Sequence, residues 1–167
     1  MFVRVKQRLI KSWSYANQVA PATTGFINNP VSLGRRFAAQ DSHPLWSKAF
    51  SEFGLTPVSV EPVYKCFTGN HFIDGTFTHK HIDRAPEGLV HTRCNLMIKK
   101  PPIGGDPILD DEVMHVEEGD LWLCLASMEY HASTPIQGGE RIIFSFGGLV
   151  PKEQINNLLC ITQNDSN

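Results

Sequence analysis

The sequence predicts a mainly β fold, a double-stranded β-helix (jelly roll) with one or two flanking helices. Short apolar or alternating runs recur between about residues 57 and 151, and Gly- and Pro-containing turns separate them. This spacing is typical of an all-β barrel with about six to eight short strands. The run Leu121–Leu125 is continuously apolar, which suits a strand covered on both faces, and Ile142–Phe146 is apolar apart from Ser145. Closing such strands into a double-sheet barrel protects their edges.

The length and composition favour one globular domain. The chain has 167 residues, of which 41% are hydrophobic and 19% are charged. A chain of about 150 residues buries roughly 68–70% of its unfolded surface, so a substantial core is available. We predict a single domain over residues 1–167. Residues 1–56 would give loop and helix support, residues 57–151 the jelly-roll core, and residues 152–167 a short C-terminal helix or tail.

Several classes of partner gain no support from the sequence. The net charge is −2 and no long basic run occurs, so no nucleic-acid partner is expected. No apolar run approaches the ~18 residues that cross a membrane, and basic residues interrupt the N-terminus where a signal peptide would be apolar. No CxxC motif occurs, so the four cysteines are expected to be reduced thiols of a cytoplasmic protein: Cys66, Cys94, Cys124 and Cys160.

A helix is expected just before the strands, over residues 44–53. Its apolar residues recur at i, i+3, i+4 and i+7: Trp46, Ala49, Phe50 and Phe53. Gly54 suits the stop of this helix. We interpret the aromatic stripe as packing against the sheet.

After Pro57 the apolar period becomes two, which predicts a strand over residues 58–66 with an edge or irregularity at Pro62. One face of that strand would carry Val58, Val60, Tyr64 and Cys66. Tyr64 would then direct its phenol inward. There it would be either an ordinary core tyrosine or a donor to a bound carboxylate.

The run from Leu89 to Ile98 alternates in the same way. Its apolar face has Val90, Thr92, Cys94, Leu96 and Ile98, and its other face has His91, Arg93, Asn95 and Met97. A mostly polar face is usually solvated. In a small barrel with a polar site, the same face would line the cavity.

The sequence His81-Ile82-Asp83 is the first candidate for metal ligation. In a strand, His81 and Asp83 would point to one face with Cα atoms roughly 6–7 Å apart, so both side chains could reach one ion. His131, which follows a hydrophobic strand, would be the third ligand. Two histidines and one carboxylate on one side of a metal are the arrangement of non-haem Fe(II) oxygenases.

Arg141 is the second candidate, because it opens an otherwise apolar strand. Burying a guanidinium among isoleucine and phenylalanine is costly without an anion. Its planar fork matches a carboxylate with two parallel hydrogen bonds. The sequence therefore predicts a negatively charged ligand close to the metal.

Over roughly residues 58–150, the chain resembles the Fe(II)/2-oxoglutarate-dependent dioxygenases, in particular their prolyl-4-hydroxylase-like branch. The resemblance depends on the order and spacing of Tyr64, Gly69, His81-Ile82-Asp83, His131 and Arg141. It implies that His81, Asp83 and His131 bind Fe(II). It also implies that Arg141, helped by Tyr64, pairs with the distal carboxylate of the co-substrate 2-oxoglutarate, and that dioxygen takes the remaining coordination position.

In one respect the chain departs from that pattern. Many relatives have a serine two positions after the arginine, where this chain has Ile143. Ser145 lies two positions further along on the same strand face and is the candidate to replace it. Asn95 and Arg93 are further candidates for contacts with the co-substrate or substrate.

The resemblance implies hydroxylation of a C–H bond, with succinate and carbon dioxide as co-products. The substrate would be a peptidyl residue, a free amino acid or a small metabolite, and the sequence does not select among them. It also leaves assembly into a homo-oligomer open.

Two other functions are compatible with parts of the sequence. A cupin-type metalloprotein would use four ligands, His79, His81, Glu87 and His131, but this arrangement leaves Arg141 unexplained. A jelly-roll binding module without catalysis is disfavoured by the complete set of candidate ligands. We interpret His79 as a residue at the rim of the site. Arg35 and Arg36 could reach a substrate anion, but a solvated basic pair is the favoured interpretation. The remaining histidines are interpreted as surface or structural residues: His43, His71, His91 and His115.

Overall fold

The chain folds as a double-stranded β-helix in a computed structural model, which describes residues 5–20, 27–28 (backbone only) and 34–160. The strands are β1 (Leu9–Ile10), β2 (Ile27–Asn28), β3 (Arg35–Gln40), β4 (Ser59–Val60), β5 (Cys66–His71), β6 (Leu89–Lys99), β7 (Pro107–Leu109), β8 (Glu112–Val113), β9 (Leu121–Cys124), β10 (His131–Ser133) and β11 (Arg141–Pro151). The helices are α1 (Trp46–Ser51), α2 (Lys152–Asn156) and a 3-10 turn over Ala16–Gln18. The mainly β prediction with short flanking helices is confirmed.

The strands form two antiparallel sheets. The larger sheet has the order β1-β9-β6-β11-β5-β3-β2, and β4 pairs with β11 beside β5. The smaller sheet has the order β10-β7-β8. Strands β1 and β3 come from the region expected to be loop and helix support, and they pair with β9 and β5. The division of residues 1–167 into support, core and tail stays a prediction.

The hydrophobic core lies between α1 and one face of the larger sheet. Phe144, Leu96 and Phe50 are fully buried in it. Because side chains alternate along a strand, the same strands β6 and β11 present a second, more polar face to the opposite side. Gly148 lets α1 approach closely, since a Cβ there would lie 2.8 Å from Cζ of Phe50.

The prediction of one strand over residues 58–66 is wrong. Strand β4 ends at Val60, a turn follows, and β5 begins at Cys66. The physical reason is Glu61, whose buried carboxylate accepts hydrogen bonds from the backbone N–H groups of residues 63, 64 and 65 at 2.8, 2.7 and 3.2 Å. These bonds fold the chain into a turn, so Tyr64 lies outside a strand and is 50% exposed.

The cysteines are free thiols, three of them buried and Cys160 exposed. Burial raises the pKa of the Cys94 and Cys124 thiols well above the ordinary value. A raised pKa keeps these thiols protonated and less nucleophilic. In the part of the chain described above, no helix has the length and apolar character needed to cross a membrane.

Candidate metal centre

A cavity of about 400 Å³ lies between the two sheets. Ligand pockets typically have roughly 300–1,000 Å³, so it could hold a small molecule. Both sheets line it. The larger sheet contributes Arg35, Phe37, Phe67, Arg93, Asn95, Trp122, Cys124, Arg141 and Ile143, and the other lining residues are Tyr64, Thr78, His81, Asp83, Pro107, Leu109, His131 and Ala132.

The structure brings the three predicted metal ligands together in this cavity. One ligand atom from each of His81, Asp83 and His131 lies within 4.8 Å of the others. Nε2 of His81 is 3.5 Å from one carboxylate oxygen of Asp83, and Nε2 of His131 is 3.7 Å from the other. The expected strand at His81 is a single bridge, in which His81 and His131 exchange backbone hydrogen bonds of 3.1 and 2.9 Å.

The backbone sets the tautomer of both histidines. Nδ1 of His81 lies 2.6 Å from the carbonyl oxygen of His79, and Nδ1 of His131 lies 3.2 Å from that of Glu129. A carbonyl oxygen only accepts, so each Nδ1 must carry the hydrogen. In the neutral form of each ring, Nε2 is therefore the nitrogen with the free lone pair, and it lies towards Asp83, as in metal-binding histidines. Burial, and then the neighbouring His81, lower the pKa of His131, which favours its neutral, metal-binding form. These residues fit a divalent metal ion.

The four-ligand cupin arrangement is not assembled. Glu87 and His79 are both exposed. Among the residues that the structure describes, the group able to hold a metal contains His81, Asp83 and His131 and neither of these two. His79 contributes its backbone carbonyl to the site, which agrees with its expected position at the rim.

Arg141 is buried as the sequence predicted. Its side chain is 5% exposed, lines the cavity, and donates from Nε to the carbonyl oxygen of Gly105 at 2.7 Å. Burial, and then the nearby Arg35, lower its pKa to about 10, so it is still a cation at neutral pH. The carboxylate of Asp106, which acts to raise this pKa, accepts a 2.5 Å hydrogen bond from Lys100.

The other predicted co-substrate residues differ in position. Asn95 is buried and lines the cavity. Tyr64 also lines it, from the turn before β5, and packs edge-on against Phe37 with ring centroids 6.0 Å apart. The Ser145 hydroxyl accepts a 3.2 Å hydrogen bond from Arg93 and is not part of the cavity wall. Contact of Tyr64 and Asn95 with a co-substrate stays a prediction, and Ser145 instead holds Arg93.

A buried network of charged and polar side chains lies behind Asp83, and the sequence analysis does not predict it. His91 is 2% exposed, and its Nδ1 lies 3.4 Å from the Asp83 carboxylate. Glu61 lies 3.9 Å from Nε2 of His91 and accepts a 2.8 Å hydrogen bond from Arg93. Burial, and then Arg93, lower the pKa of His91 to about 4, so the ring is neutral at neutral pH. The usable signal was the polar face of β6, which carries both His91 and Arg93.

The favoured interpretation of Arg35 as solvated is wrong, because Arg35 lines the cavity. Arg36 is exposed, with its guanidinium over Phe72. Of the two alternatives for His71, surface or structural, the structure shows the buried one. His71 is 3% exposed. Burial, then Arg141 and Arg35, lower its pKa to about 3. The alternation of β3, which separates Arg35 from Arg36, was the signal that could have identified the buried arginine.

His71 should make stability pH-dependent. The pKa of His71 is about 6.5 in the unfolded chain and about 3 in the folded chain. Between these two pH values the unfolded state therefore binds a proton that the folded state does not bind. Its contribution is therefore fully present above pH 6.5 and is lost as the pH falls towards 3. We expect urea unfolding between about pH 7 and 4 to show a slope up to about 1.4 kcal/mol per pH unit steeper for wild type than for His71→Gln. His115→Gln, whose ring is 83% exposed, is the control; parallel curves for wild type and His71→Gln would contradict this expectation.

Comparison with known proteins identifies the fold. No protein-family model matches the sequence, and no curated protein sequence matches it. The structure is similar to a prolyl hydroxylase from Trichoplax adhaerens, solved with a peptide fragment of the hypoxia inducible factor oxygen degradation domain, at a TM-score of 0.55 and 12% identity over 89% of this chain and 85% of that one.

Two further solved structures match less well. A Pseudomonas putida prolyl-4-hydroxylase gives a TM-score of 0.49 and 16% identity over 81% of this chain and 79% of that one. An oxidoreductase of the 2OG-Fe(II) oxygenase family from Burkholderia pseudomallei gives 0.45 and 15% over 59% and 48%. Because the identity to the Trichoplax prolyl hydroxylase is low, that match bears on architecture alone. The chain has a double-stranded β-helix fold of the kind found in the Trichoplax prolyl hydroxylase.

Proposed function

We propose that this chain is an Fe(II)- and 2-oxoglutarate-dependent dioxygenase that hydroxylates a C–H bond of a peptidyl residue, an amino acid or a small metabolite. One observation carries the proposal. A single cavity contains the group His81, Asp83 and His131 together with the buried cation of Arg141. Two histidines and a carboxylate suit ferrous iron with open positions, and the arginine suits a carboxylate beyond it.

The three ligands would hold the iron from one side of the cavity. Both histidines offer Nε2, because their Nδ1 atoms are occupied by backbone carbonyls. His91, at 3.4 Å from the Asp83 carboxylate, limits the orientations that this carboxylate can take. When bound, ferrous iron supplies the oxidative chemistry that couples decarboxylation of the co-substrate to hydroxylation of the substrate.

Arg141 would orient the co-substrate through its distal carboxylate. The guanidinium is restrained by its bond to Gly105, so its free edge is presented without rearrangement. Leu109, Trp122 and Ile143 are apolar side chains of the cavity wall and would limit the water around a bound co-substrate. A dry wall strengthens the ion pair with a carboxylate and limits side reactions.

The direct test is release of succinate from 2-oxoglutarate by the iron-loaded protein, screened with peptides, amino acids and small metabolites. We expect succinate formation that depends on Fe(II) and 2-oxoglutarate and rises with a true substrate. Arg141→Gln should weaken 2-oxoglutarate binding by about 10- to 100-fold, since it removes a charge-assisted pair. A protein that binds iron but never forms succinate with any candidate would instead be a binding module.

A further inference from the structure

The end of the cavity at Arg141 carries a second arginine. Arg35 on β3 and Arg141 on β11 are each directly opposite His71, on the strand β5 between them. Residues opposite each other on neighbouring strands point to the same face. Strands are about 4.8 Å apart, which puts the two arginine Cα atoms about 10 Å apart across His71. Both side chains line the cavity, so their guanidinium groups can approach one ligand group from two sides.

No carboxylate of the described residues forms an ion pair with either arginine. The hydrogen bond of the Arg141 side chain goes to a backbone carbonyl, that of Gly105. Asp106, which acts on Arg141 from a distance, is engaged by Lys100 and lies 3.5 Å from His115. Burial lowers the pKa of both arginines, and Arg35 lowers that of Arg141 further. Two partly desolvated cations beside each other are unfavourable unless an anion joins them.

His71 adds an independent observation. The residue is 3% exposed, and among the residues that the structure describes neither of its ring nitrogens has a hydrogen-bond partner. Buried polar side chains are nearly always partnered, so this ring calls for an explanation. Kept neutral between two arginines, the imidazole has one N–H donor to offer. An oxygen of an anion bound between the arginines would accept a hydrogen bond from this N–H group.

We propose that Arg35 and His71 complete, with Arg141, a clamp for a single carboxylate group, and that this clamp makes the cavity selective for dicarboxylate ligands. The inference rests on the proposed function, in which Arg141 receives the distal carboxylate of 2-oxoglutarate. One shared carboxylate is favoured over two separate anion sites because the three residues lie on one rung, with His71 in its centre.

The test measures ligand affinity without turnover. The protein is loaded with redox-inert Zn(II) and titrated calorimetrically with 2-oxoglutarate and with 2-oxopentanoate, which has the same carbon chain but no distal carboxylate. We expect Arg35→Gln to weaken 2-oxoglutarate binding by about 10- to 100-fold and to leave 2-oxopentanoate binding unchanged. Arg36→Gln is the matched control, because Arg36 is the next residue and is exposed on the opposite face. It should change neither affinity.

The outcomes separate the two proposals. If Arg141→Gln weakens 2-oxoglutarate binding and Arg35→Gln does not, the clamp proposal is contradicted and the proposed function is retained. If neither variant affects 2-oxoglutarate binding, both the clamp proposal and the proposed function are contradicted. A second measurement uses the wild-type protein only. In the Zn(II)-loaded protein, saturating 2-oxoglutarate should shift the ¹⁵N resonances of the His71 ring, and 2-oxopentanoate should not. An unshifted ring at saturation would overturn the part assigned to His71.

Discussion

Asp83→Ala is expected to weaken the affinity for a divalent metal ion by more than about 100-fold. Replacing a residue that only orients a metal ligand already weakens metal affinity by about 10- to 100-fold. Asp83 supplies the one carboxylate of the candidate site, and its two oxygens lie 3.5 and 3.7 Å from Nε2 of the two histidines. Without it, two neutral imidazoles would face a dication with no charge to compensate it. Titration with Mn(II), followed by electron paramagnetic resonance, measures the affinity.

Glu87→Ala is the matched control for this experiment. Glu87 is the nearby acid that a cupin-type site would use, but it is exposed and lies outside the group that gathers around the histidines. We expect its substitution to leave Mn(II) affinity unchanged. Loss of metal binding in Glu87→Ala, with retention in Asp83→Ala, would reverse the assignment. Circular dichroism of both variants establishes that each is folded.

Glu61→Ala should cause the largest loss of stability among the polar substitutions considered, about 3–5 kcal/mol, because it leaves a buried charge unpaired. Glu61 and Arg93 are 4% and 6% exposed, and their ion pair is 2.8 Å long. The same carboxylate also holds the N–H groups of the turn that carries Tyr64. Removing this carboxylate would therefore leave the Arg93 guanidinium buried without its ion-pair partner, and the turn would lose the acceptor of its backbone N–H groups. Urea denaturation monitored by tryptophan fluorescence measures the change.

Two comparisons make this prediction specific. Asp41→Ala breaks the ion pair of Asp41 with Lys65, a pair that solvent screens, and should change stability little. The double variant Glu61→Ala/Arg93→Met removes both buried charges and should recover part of the loss. Equal losses of unfolding free energy in Asp41→Ala and Glu61→Ala would show that the buried ion pair stabilises the fold no more than the exposed one. An additive double variant would show that the two side chains act independently.

The local environment of Tyr64 shows why part of the site could not be predicted from the sequence. The alternation from residue 58 to 66 satisfied every local rule for a strand, including an irregularity at Pro62. The carboxylate of Glu61 instead curls the backbone, and that carboxylate is buried because Arg93, 32 positions away in the chain, pairs with it. A long-range ion pair of this kind leaves no trace in local periodicity.

The cavity-facing residues of β3, β5 and β6 show the same limit. Alternation separates Arg35 from Arg36 and His91 from Thr92, but it does not say which side of the sheet is covered. His71 becomes buried only because β5 lies between β3 and β11, so that an arginine stands on each side of it. The sequence spacing of these three residues contains no such relation.

The sequence by itself determined the strand-rich fold class and the short helix at Trp46–Ser51. It also predicted that His81, Asp83, His131 and Arg141 form one site. These follow from residue type, alternation and order along the chain, which are local properties. Only the tertiary structure decided that Arg35, His71, His91 and Glu61 belong to the same cavity or to its supporting network. Strand pairing and sheet closure decide which side chains meet, because they join residues that are distant in sequence and remove them from water together.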